Sequence, residues 1–340
     1  MLSAHRQDGL WSAISSDYDC TENVERLIAS GSTTFERIVL STWDDDHGRQ
    51  AKNVFQGADS VTVVLSADPL SSSHALSKTR TRQFPDNRVR QFFSTLAGLK
   101  ACEGAPTEVV AKVRTDQFLD IQALMTCASD IECGIPRSLN SDNRLLLVPC
   151  LFGKPPFAAD DSYFVATRST LSSFLEAQLS VRPSRAIADI HSAITLVWFD
   201  AVLRERMPIG RWREFPLSGR SKAQRPVLSN DPAHYRIAAE VVHQTLRPLS
   251  RAVHQSLVWR GISIQEYEAR AAEISRLPPL LFREDLPETP SALAAIFQDL
   301  SEAGRRPLIP SKLLAQIVGY ERSGLGSLLN PIAFASQRFR

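Results

Sequence analysis

The segment EVVAKVRTD (108–116) joins an apolar run to charged residues whose chemistry suits an anionic ligand. Lys112, Arg114 and Asp116 occupy alternate positions, so in an extended chain their side chains project to one side. A carboxylate in this position can hold Mg²⁺ or Mn²⁺ against a diphosphate, and a neighbouring arginine can bind phosphate through its planar guanidinium. The segment therefore predicts either a strand end that binds a diphosphate or the solvated edge of a strand.

Neighbouring segments predict the elements that would position these charges. The apolar runs 37–43, 60–69 and 144–152 are typical of buried strands, as is 108–113. Segment 86–104 has the spacing of an amphipathic helix, whose predicted apolar stripe consists of Val89, Phe92, Phe93, Leu96 and Leu99. Strands that alternate with helices predict an α/β fold with a mixed, mostly parallel sheet flanked by helices. Parallel sheets of this kind bind ligands at the carboxyl ends of their strands. The polar residues at these predicted strand ends are Ser41, Thr42, Trp43, Asp68, Arg114 and Asp116.

A second acidic group, DDDH at 44–47, follows the first of these strands. Three carboxylates in a row could bind a metal ion. Adjacent residues rarely face one ligand, however, and acidic residues after a strand often cap the next helix. Both interpretations stay open at this point.

Composition excludes several other classes of protein. The net charge of +2 over 340 residues does not by itself indicate nucleic-acid binding. No apolar run reaches the roughly 18 residues of a membrane span, and the first residues lack the apolar region of a secretory signal. The five cysteines show no zinc-ligand spacing, which favours reduced, buried thiols. We therefore expect a cytoplasmic protein, with the basic segment 204–225 as either a peripheral contact with an anionic inner membrane or a solvated loop.

Four segments taken in order resemble the WavE lipopolysaccharide synthesis family, whose members are described as bacterial glycosyltransferases. They are IVLSTW (38–43), SVTVVLSADP (60–69), NRVRQFFSTLAGLKAC (87–102) and VVAKVRTD (109–116). The resemblance covers about residues 36–180, and its most specific part is the ordered set that ends in K.RTD. The segment DDSYFVATRSTLSSFL (160–175) is similar to an aspartate and aromatic segment that follows in the family.

This resemblance implies a GT-A-like fold, a nucleotide-sugar donor, and a glycan or lipid-linked acceptor of the lipopolysaccharide or capsule type. The RTD sequence stands where such enzymes usually carry DxD, so a need for Mn²⁺ or Mg²⁺ is left open, with Asp116 as the candidate metal ligand. Asp161 is the candidate base, with Asp160 as its competitor. The donor-binding residues that we expect are Ser41, Thr42, Trp43, Asp68, Asn87, Arg90, Gln91, Lys112, Arg114 and Asp116.

The extent of the resemblance, together with a change to helical sequence patterns after about residue 185, gives the predicted domain boundaries. Residues 1–35 form an N-terminal extension, 36–185 a nucleotide-sugar-binding domain, and 186–340 a mainly α-helical region. Two other functions compete with sugar transfer. One is a catalytically inactive nucleotide-binding or scaffold protein of the same fold. The other is a DNA-binding regulator acting through the helix-turn-helix-like segment 308–329, although we expect helical packing there and no nucleic-acid partner.

Overall fold

The protein is described here by a computed structural model, which places residues 14–15, 18–69, 87–102, 104–106, 108–126, 145–152, 158–180, 232–274 and 280–303. The helices are α1 (Thr21–Gly31), α2 (Asp46–Val54), α3 (Asn87–Ala101), α4 (Arg168–Ser180), α5 (Pro232–Thr245), α6 (Arg251–Gln255), α7 (Ile264–Ile274) and α8 (Pro290–Ala303). The first strands are β1 (Ile14–Ser15), β2 (Tyr18–Asp19), β3 (Ile38–Trp43), β4 (Val61–Ser66), β5 (Val109–Val113), β6 (Gln117–Phe118) and β7 (Leu146–Val148). The remaining strands are β8 (Leu151–Phe152), β9 (Ala158–Ala159), β10 (Tyr163–Thr167), β11 (Leu246–Pro248), β12 (Val258–Trp259), β13 (Ile262–Ser263) and β14 (Leu280–Leu281).

The chain divides into two compact units. The first consists of Met1–Arg144, Ser162–Arg182 and Ala252–Ile264, and the second of Leu145–Asp161, Pro183–Arg251 and Gln265–Arg340. These ranges differ from the predicted segments 1–35, 36–185 and 186–340. Helix α1, which lies in the predicted N-terminal extension, packs into the core of the first unit, because its buried face carries Val24 and Ile28.

In the first unit, β3 and β4 pair in parallel, and helices cover both faces of β3. Ile38 and Leu40 of β3 pack against a buried cluster of Val24, Ile28, Ala51, Phe55 and Val61. Val39 and Ser41 alternate with them and face Gly98 of α3. Full burial of an aliphatic side chain contributes about 1.5–3 kcal/mol, and because β3 is partly buried on both faces, apolar residues on both of them stabilise the unit.

Strand β5 pairs with β10 in the antiparallel direction, with Val113 opposite Tyr163 and Val109 opposite Thr167. The expectation of a mostly parallel sheet therefore does not hold around β5. The physical reason lies in β10, which is buried along most of its length and runs directly into α4, so its apolar pattern gave no signal of direction. The fold is mixed α/β, with parallel and antiparallel pairing.

An aromatic cluster joins β10 to two helices of the same unit. The ring of Phe174 in α4 meets Phe164 of β10 and Phe92 of α3 edge to face, with centroids 5.4 and 5.7 Å apart. Phe92 and Leu99 lie on the buried side of α3, as the predicted apolar stripe requires. Phe93 of the same stripe is 37% exposed, because the buried face of α3 is narrower than the spacing indicated.

The described residues of the second unit combine helices with short strands. Helices α5 and α8 pack against each other, with Ala239 and Val242 buried on α5 and Leu293 and Phe297 on α8. Strand β11 pairs in parallel with β7, and β8 pairs with β9 and β14. Helix α8 begins at Thr289-Pro290, a residue pair typical of a helix start, and Thr289 Oγ1 accepts a hydrogen bond from the Ala292 N–H.

Strands between residues 246 and 281 were absent from the prediction of a mainly helical C-terminal region. They are only two or three residues long, too short to show an alternating pattern in the sequence. None of the helices within the described ranges has the length and apolar character of a membrane span.

Candidate functional site

The chain turns sharply where β5 ends, and this turn brings Arg114 and Asp116 together. The Gln117 N–H donates to the Arg114 carbonyl at 3.2 Å, which closes the turn before β6 begins. Arg114 Nε and Nη2 then donate to the two carboxylate oxygens of Asp116, each at 3.0 Å. The pair is therefore bidentate, the geometry in which arginine binds a carboxylate most strongly.

A second arginine, which the sequence did not single out, reaches the same carboxylate. Arg260 Nε lies 3.4 Å from Asp116 Oδ2, and the Arg260 N–H donates to the Asp116 carbonyl at 3.0 Å. Arg260 and Gly261 form the two-residue turn of the β12–β13 hairpin, and β12 pairs with β6 directly after Asp116. The hairpin therefore places a second guanidinium at the end of β5.

The electrostatics of this Arg114–Asp116–Arg260 triad are dominated by the buried carboxylate. The Asp116 side chain is 2% exposed, against 28% for Arg114 and 11% for Arg260. Burial by itself raises the pKa of Asp116, but the charges and hydrogen bonds of Arg114 and then Arg260 outweigh it, so the pKa lies below its usual range. The buried carboxylate of Asp116 thus brings two guanidinium groups together at the end of β5.

Asp116 was also the candidate ligand for Mn²⁺ or Mg²⁺, and the residues around it do not fit such an ion. Both of its oxygens accept hydrogen bonds from guanidinium groups. A divalent cation prefers several oxygen ligands and is repelled by adjacent positive charge, so it would have to displace at least one arginine. We therefore derive no chemical step through a metal ion.

Cys20, which precedes α1, lies close to the same strand end. Burial raises the pKa of its thiol to about 11, a hydrogen bond from Thr115 lowers it, and the charge of Asp116 raises it again. Because the thiolate is the nucleophilic form, this cysteine is not a nucleophile at neutral pH. Cys20 therefore packs beside the triad without supplying reactive chemistry.

The predicted candidates at the end of β3 take part in packing. Ser41 Oγ donates to the Ser94 carbonyl of α3 at 2.7 Å, and Gly98 lets α3 approach so closely that a Cβ there would lie 3.0 Å from Ser41 Cβ. Thr42 and Trp43 are half-buried and lie against Gly48 of α2, where a Cβ would collide with the Trp43 carbonyl. These contacts attach α2 and α3 to the strand.

The acidic residues that follow β3 stabilise the start of α2. Asp45 caps α2, because its Oδ1 accepts a hydrogen bond from the Gly48 N–H at 2.8 Å. Arg49 pairs with Asp44 and with Asp46 at 2.7 and 2.8 Å. The helix-cap interpretation of this segment is the one that the geometry supports.

Two of the predicted donor-binding residues pair with each other. Arg90 Nε donates to Asp68 Oδ1 at 3.0 Å, and Arg90 Nη2 binds Asp68 Oδ2. The Gln91 carbonyl accepts a hydrogen bond from Thr95 within α3. Asn87 is the first residue of α3, and its side chain lies outside the described part of the chain.

Lys112, which the alternating spacing groups with Arg114 and Asp116, contacts an aromatic ring of β10. Its ammonium lies 4.9 Å from the ring centroid of Phe164, the residue opposite it on β10. A cation over an aromatic ring gains about 0.5–1 kcal/mol at an exposed site. The structure therefore pairs Lys112 with an aromatic ring of the sheet.

The two candidate bases belong to the second unit. Asp160 and Asp161 are 5% and 3% exposed, and the Asp160 N–H donates to the Cys150 carbonyl at 3.1 Å. Burial and then the charge of Asp160 raise the pKa of both Cys150 and Tyr267, so thiol and phenol stay protonated. Asp160 thus lies in a buried environment with protonated neighbours.

No protein-family model, no curated protein and no solved structure matches this chain. The resemblance to the WavE family therefore stays a prediction, carried by the ordered motifs. Two predicted segments lie outside the described residues. One is 204–225, predicted as a membrane contact or a solvated loop, and the other is 308–329, predicted as a helix-turn-helix or as packed helices.

Sequence reasoning missed Arg260, the second cation of the triad. A local signal was present: Val258-Trp259 and Ile262-Ser263 flank a two-residue step that ends in Gly261, the signature of a tight hairpin. That signal predicts the turn but not its partner, which lies 144 positions earlier in the chain.

Proposed function

We propose that this protein is a glycosyltransferase that moves a sugar from a nucleotide-sugar donor to a growing surface glycan of the lipopolysaccharide or capsule type. The observation that carries the proposal is the Arg114–Asp116–Arg260 triad at the end of β5. It gathers two guanidinium groups at the end of the strand whose RTD ending carries the family resemblance. A GT-A-like arrangement, a cytoplasmic location and peripheral contact with the inner membrane belong to the same proposal.

The chemistry of sugar transfer explains why such a group is useful. The bond to the nucleoside diphosphate breaks in the reaction, and negative charge develops on the leaving phosphate oxygen. Preorganised cationic donors stabilise that charge more in the transition state than in the ground state. The acceptor hydroxyl must also lose a proton, and Asp161 is our candidate base with Asp160 as its competitor.

The first experiment is a thermal-shift panel of nucleoside diphosphates and nucleotide sugars, run with EDTA and again with Mn²⁺ or Mg²⁺. A ligand at 100 times its dissociation constant stabilises a protein by about 2.7 kcal/mol, which is visible as a shift of several degrees. Donors that shift the melting point are then assayed for release of nucleoside diphosphate. We expect one nucleotide class to bind and to be turned over; absence of both would remove the proposal.

Arg114→Lys tests whether the guanidinium matters to turnover. Lysine keeps the charge but loses the planar fork that binds two oxygens at once, so we expect kcat/KM to fall at least tenfold. Arg49→Ala is the matched control, because Arg49 also pairs with aspartates in the first unit but lies on α2 and is not one of the predicted donor-binding residues. Near-normal turnover of the Arg114 variant would remove this residue from the mechanism.

A second function, an inactive nucleotide-binding or scaffold protein of the same fold, is favoured by a different observation. Several predicted donor-binding side chains are engaged within the protein, in the pairs Ser41–Ser94, Asp68–Arg90 and Lys112–Phe164. Turnover of any donor by the purified protein separates the two functions. Nucleotide binding with no turnover, across all donors and both cation conditions, would favour the scaffold.

A further inference from the structure

The tip of the β12–β13 hairpin contacts the end of β5 through Arg260. Arg260 contacts Asp116 twice, with its N–H on the Asp116 carbonyl at 3.0 Å and with its Nε on Asp116 Oδ2 at 3.4 Å. The neighbouring residues add main-chain pairing, since Trp259 lies opposite Gln117 in the β12–β6 ladder. The position of the Arg260 guanidinium is therefore set by backbone and side chain together.

The turn by itself does not explain an arginine at this position. Arg260 has a φ of 48° and Gly261 a φ of 79°, the signs that a type I′ hairpin turn requires at its two central residues. A side chain other than glycine is strained there, and asparagine is the residue that tolerates it best. Asn-Gly would form the same hairpin with less strain, so the arginine is explained by the contacts of its guanidinium, which meets Asp116 Oδ2 and lies 5.2 Å from the centroid of the Trp259 ring.

The pairing around Asp116 brings the guanidinium groups of Arg260 and Arg114 together. One buried carboxylate holds two guanidinium groups, and Arg114 is the more exposed of them, at 28% of its side chain. We propose that Arg114 and Arg260 together bind the diphosphate of the donor without a divalent cation, and that Asp116 is the positioning residue that orients both. This inference rests on the proposed sugar transfer and adds a residue and a metal-independent mode of binding to it.

The test compares binding of inorganic pyrophosphate, by calorimetry in EDTA, to the wild-type protein and to Arg260→Asn. This variant removes the guanidinium and leaves a turn sequence that fits the hairpin better. We expect the wild type to bind and the variant to bind at least tenfold more weakly, with Arg260→Lys in between because it retains the charge. Arg49→Ala should bind like the wild type.

Kinetics and spectroscopy distinguish a role of Arg260 in binding the diphosphate from a merely structural role. With the donor found in the panel, Arg260→Asn should raise KM for the donor and lower kcat, while its melting point stays within a few degrees. In the wild type, pyrophosphate should shift the ¹⁵N resonances of the Arg114 and Arg260 Nε groups. This second measurement needs no variant and decides the matter if Arg260→Asn fails to fold.

Three results would overturn the inference: no pyrophosphate binding in EDTA, equal binding by the wild type and Arg260→Asn, or Nε resonances that do not respond to pyrophosphate. Turnover of a donor with unchanged kcat and KM in Arg260→Asn would also overturn it, while the proposed transfer would stand. If pyrophosphate binds through these arginines but no donor is turned over, the proposed function fails and the anion site remains.

Discussion

Two arginine–aspartate pairs in the first unit have the same bidentate form and different surroundings. The Asp68–Arg90 pair, after β4, has side chains that are 23% and 35% exposed. The Arg114–Asp116 pair, after β5, has an aspartate that is 2% exposed and a second arginine on it. The same two residue types thus form a partly hydrated pair in one place and, in the other, a group of two arginines around a buried carboxylate.

This difference determines what each pair can contribute. A hydrated pair gives little stability, because water screens both charges, typically about 0–1 kcal/mol. A buried carboxylate cannot lose its partners without leaving charge away from water. The comparison indicates that Asp68–Arg90 can be changed at little cost, whereas Asp116 holds two cations in place at the end of β5.

The largest effect is expected for Asp116→Asn. It leaves Arg114 and Arg260 without their carboxylate, and removing one partner of a buried ion pair costs about 3–5 kcal/mol. We expect the free energy of unfolding in urea to fall by about 3 kcal/mol at neutral pH. A purely catalytic role for Asp116 predicts instead that turnover is lost while the melting point stays within a few degrees of the wild type. A decrease in the free energy of unfolding of less than about 1 kcal/mol would support that role and contradict the stabilising role of the buried pair.

At acid pH, the free energies of unfolding of Asp116→Asn and of the wild type should become similar. The pKa of Asp116 is lowered in the folded protein, so its stabilising contribution is present above the unfolded value of about 3.9 and is lost as the pH falls through the folded pKa. Unfolding free energies measured between pH 7 and pH 2 should therefore converge for the two proteins. A constant difference across this range would show that Asp116 does not titrate as proposed.

The smallest effect is expected for Asp68→Asn. Because the pair with Arg90 is hydrated, we expect a loss of less than about 1 kcal/mol, and 1 M salt should reduce it further. The same salt should leave the effect of Asp116→Asn largely unchanged, since a buried pair is poorly screened. If Asp68→Asn and Asp116→Asn lost similar free energies of unfolding and responded similarly to salt, the two pairs would not differ in the way that we infer from their burial.

Several parts of the fold were predictable because they depend on local geometry. The apolar runs predicted strands β3, β4 and β5, and the spacing of Phe92 and Leu99 predicted the buried side of α3. The capping roles of Asp45 and Thr289 also follow from short sequence patterns. These features are confirmed because backbone periodicity and capping involve residues only a few positions apart.

The candidate site was predictable in part. The sequence identified Arg114 and Asp116 and left their roles open. It grouped Lys112 with them by spacing, but spacing does not show that β10 pairs with β5 and brings Phe164 under the ammonium. It also offered Ser41 as a ligand-binding residue, whereas the approach of α3 through Gly98 engages that hydroxyl in packing.

The sequence by itself determined where strands β3, β4 and β5 and helix α3 lie and that one strand ends in charged residues. Only the tertiary structure decided which partner each charge takes. Arg260 meets Asp116 across 144 positions, and no periodic pattern connects them. Periodicity is a property of the local backbone, whereas an ion pair forms where long-range packing brings two side chains together and excludes water from them.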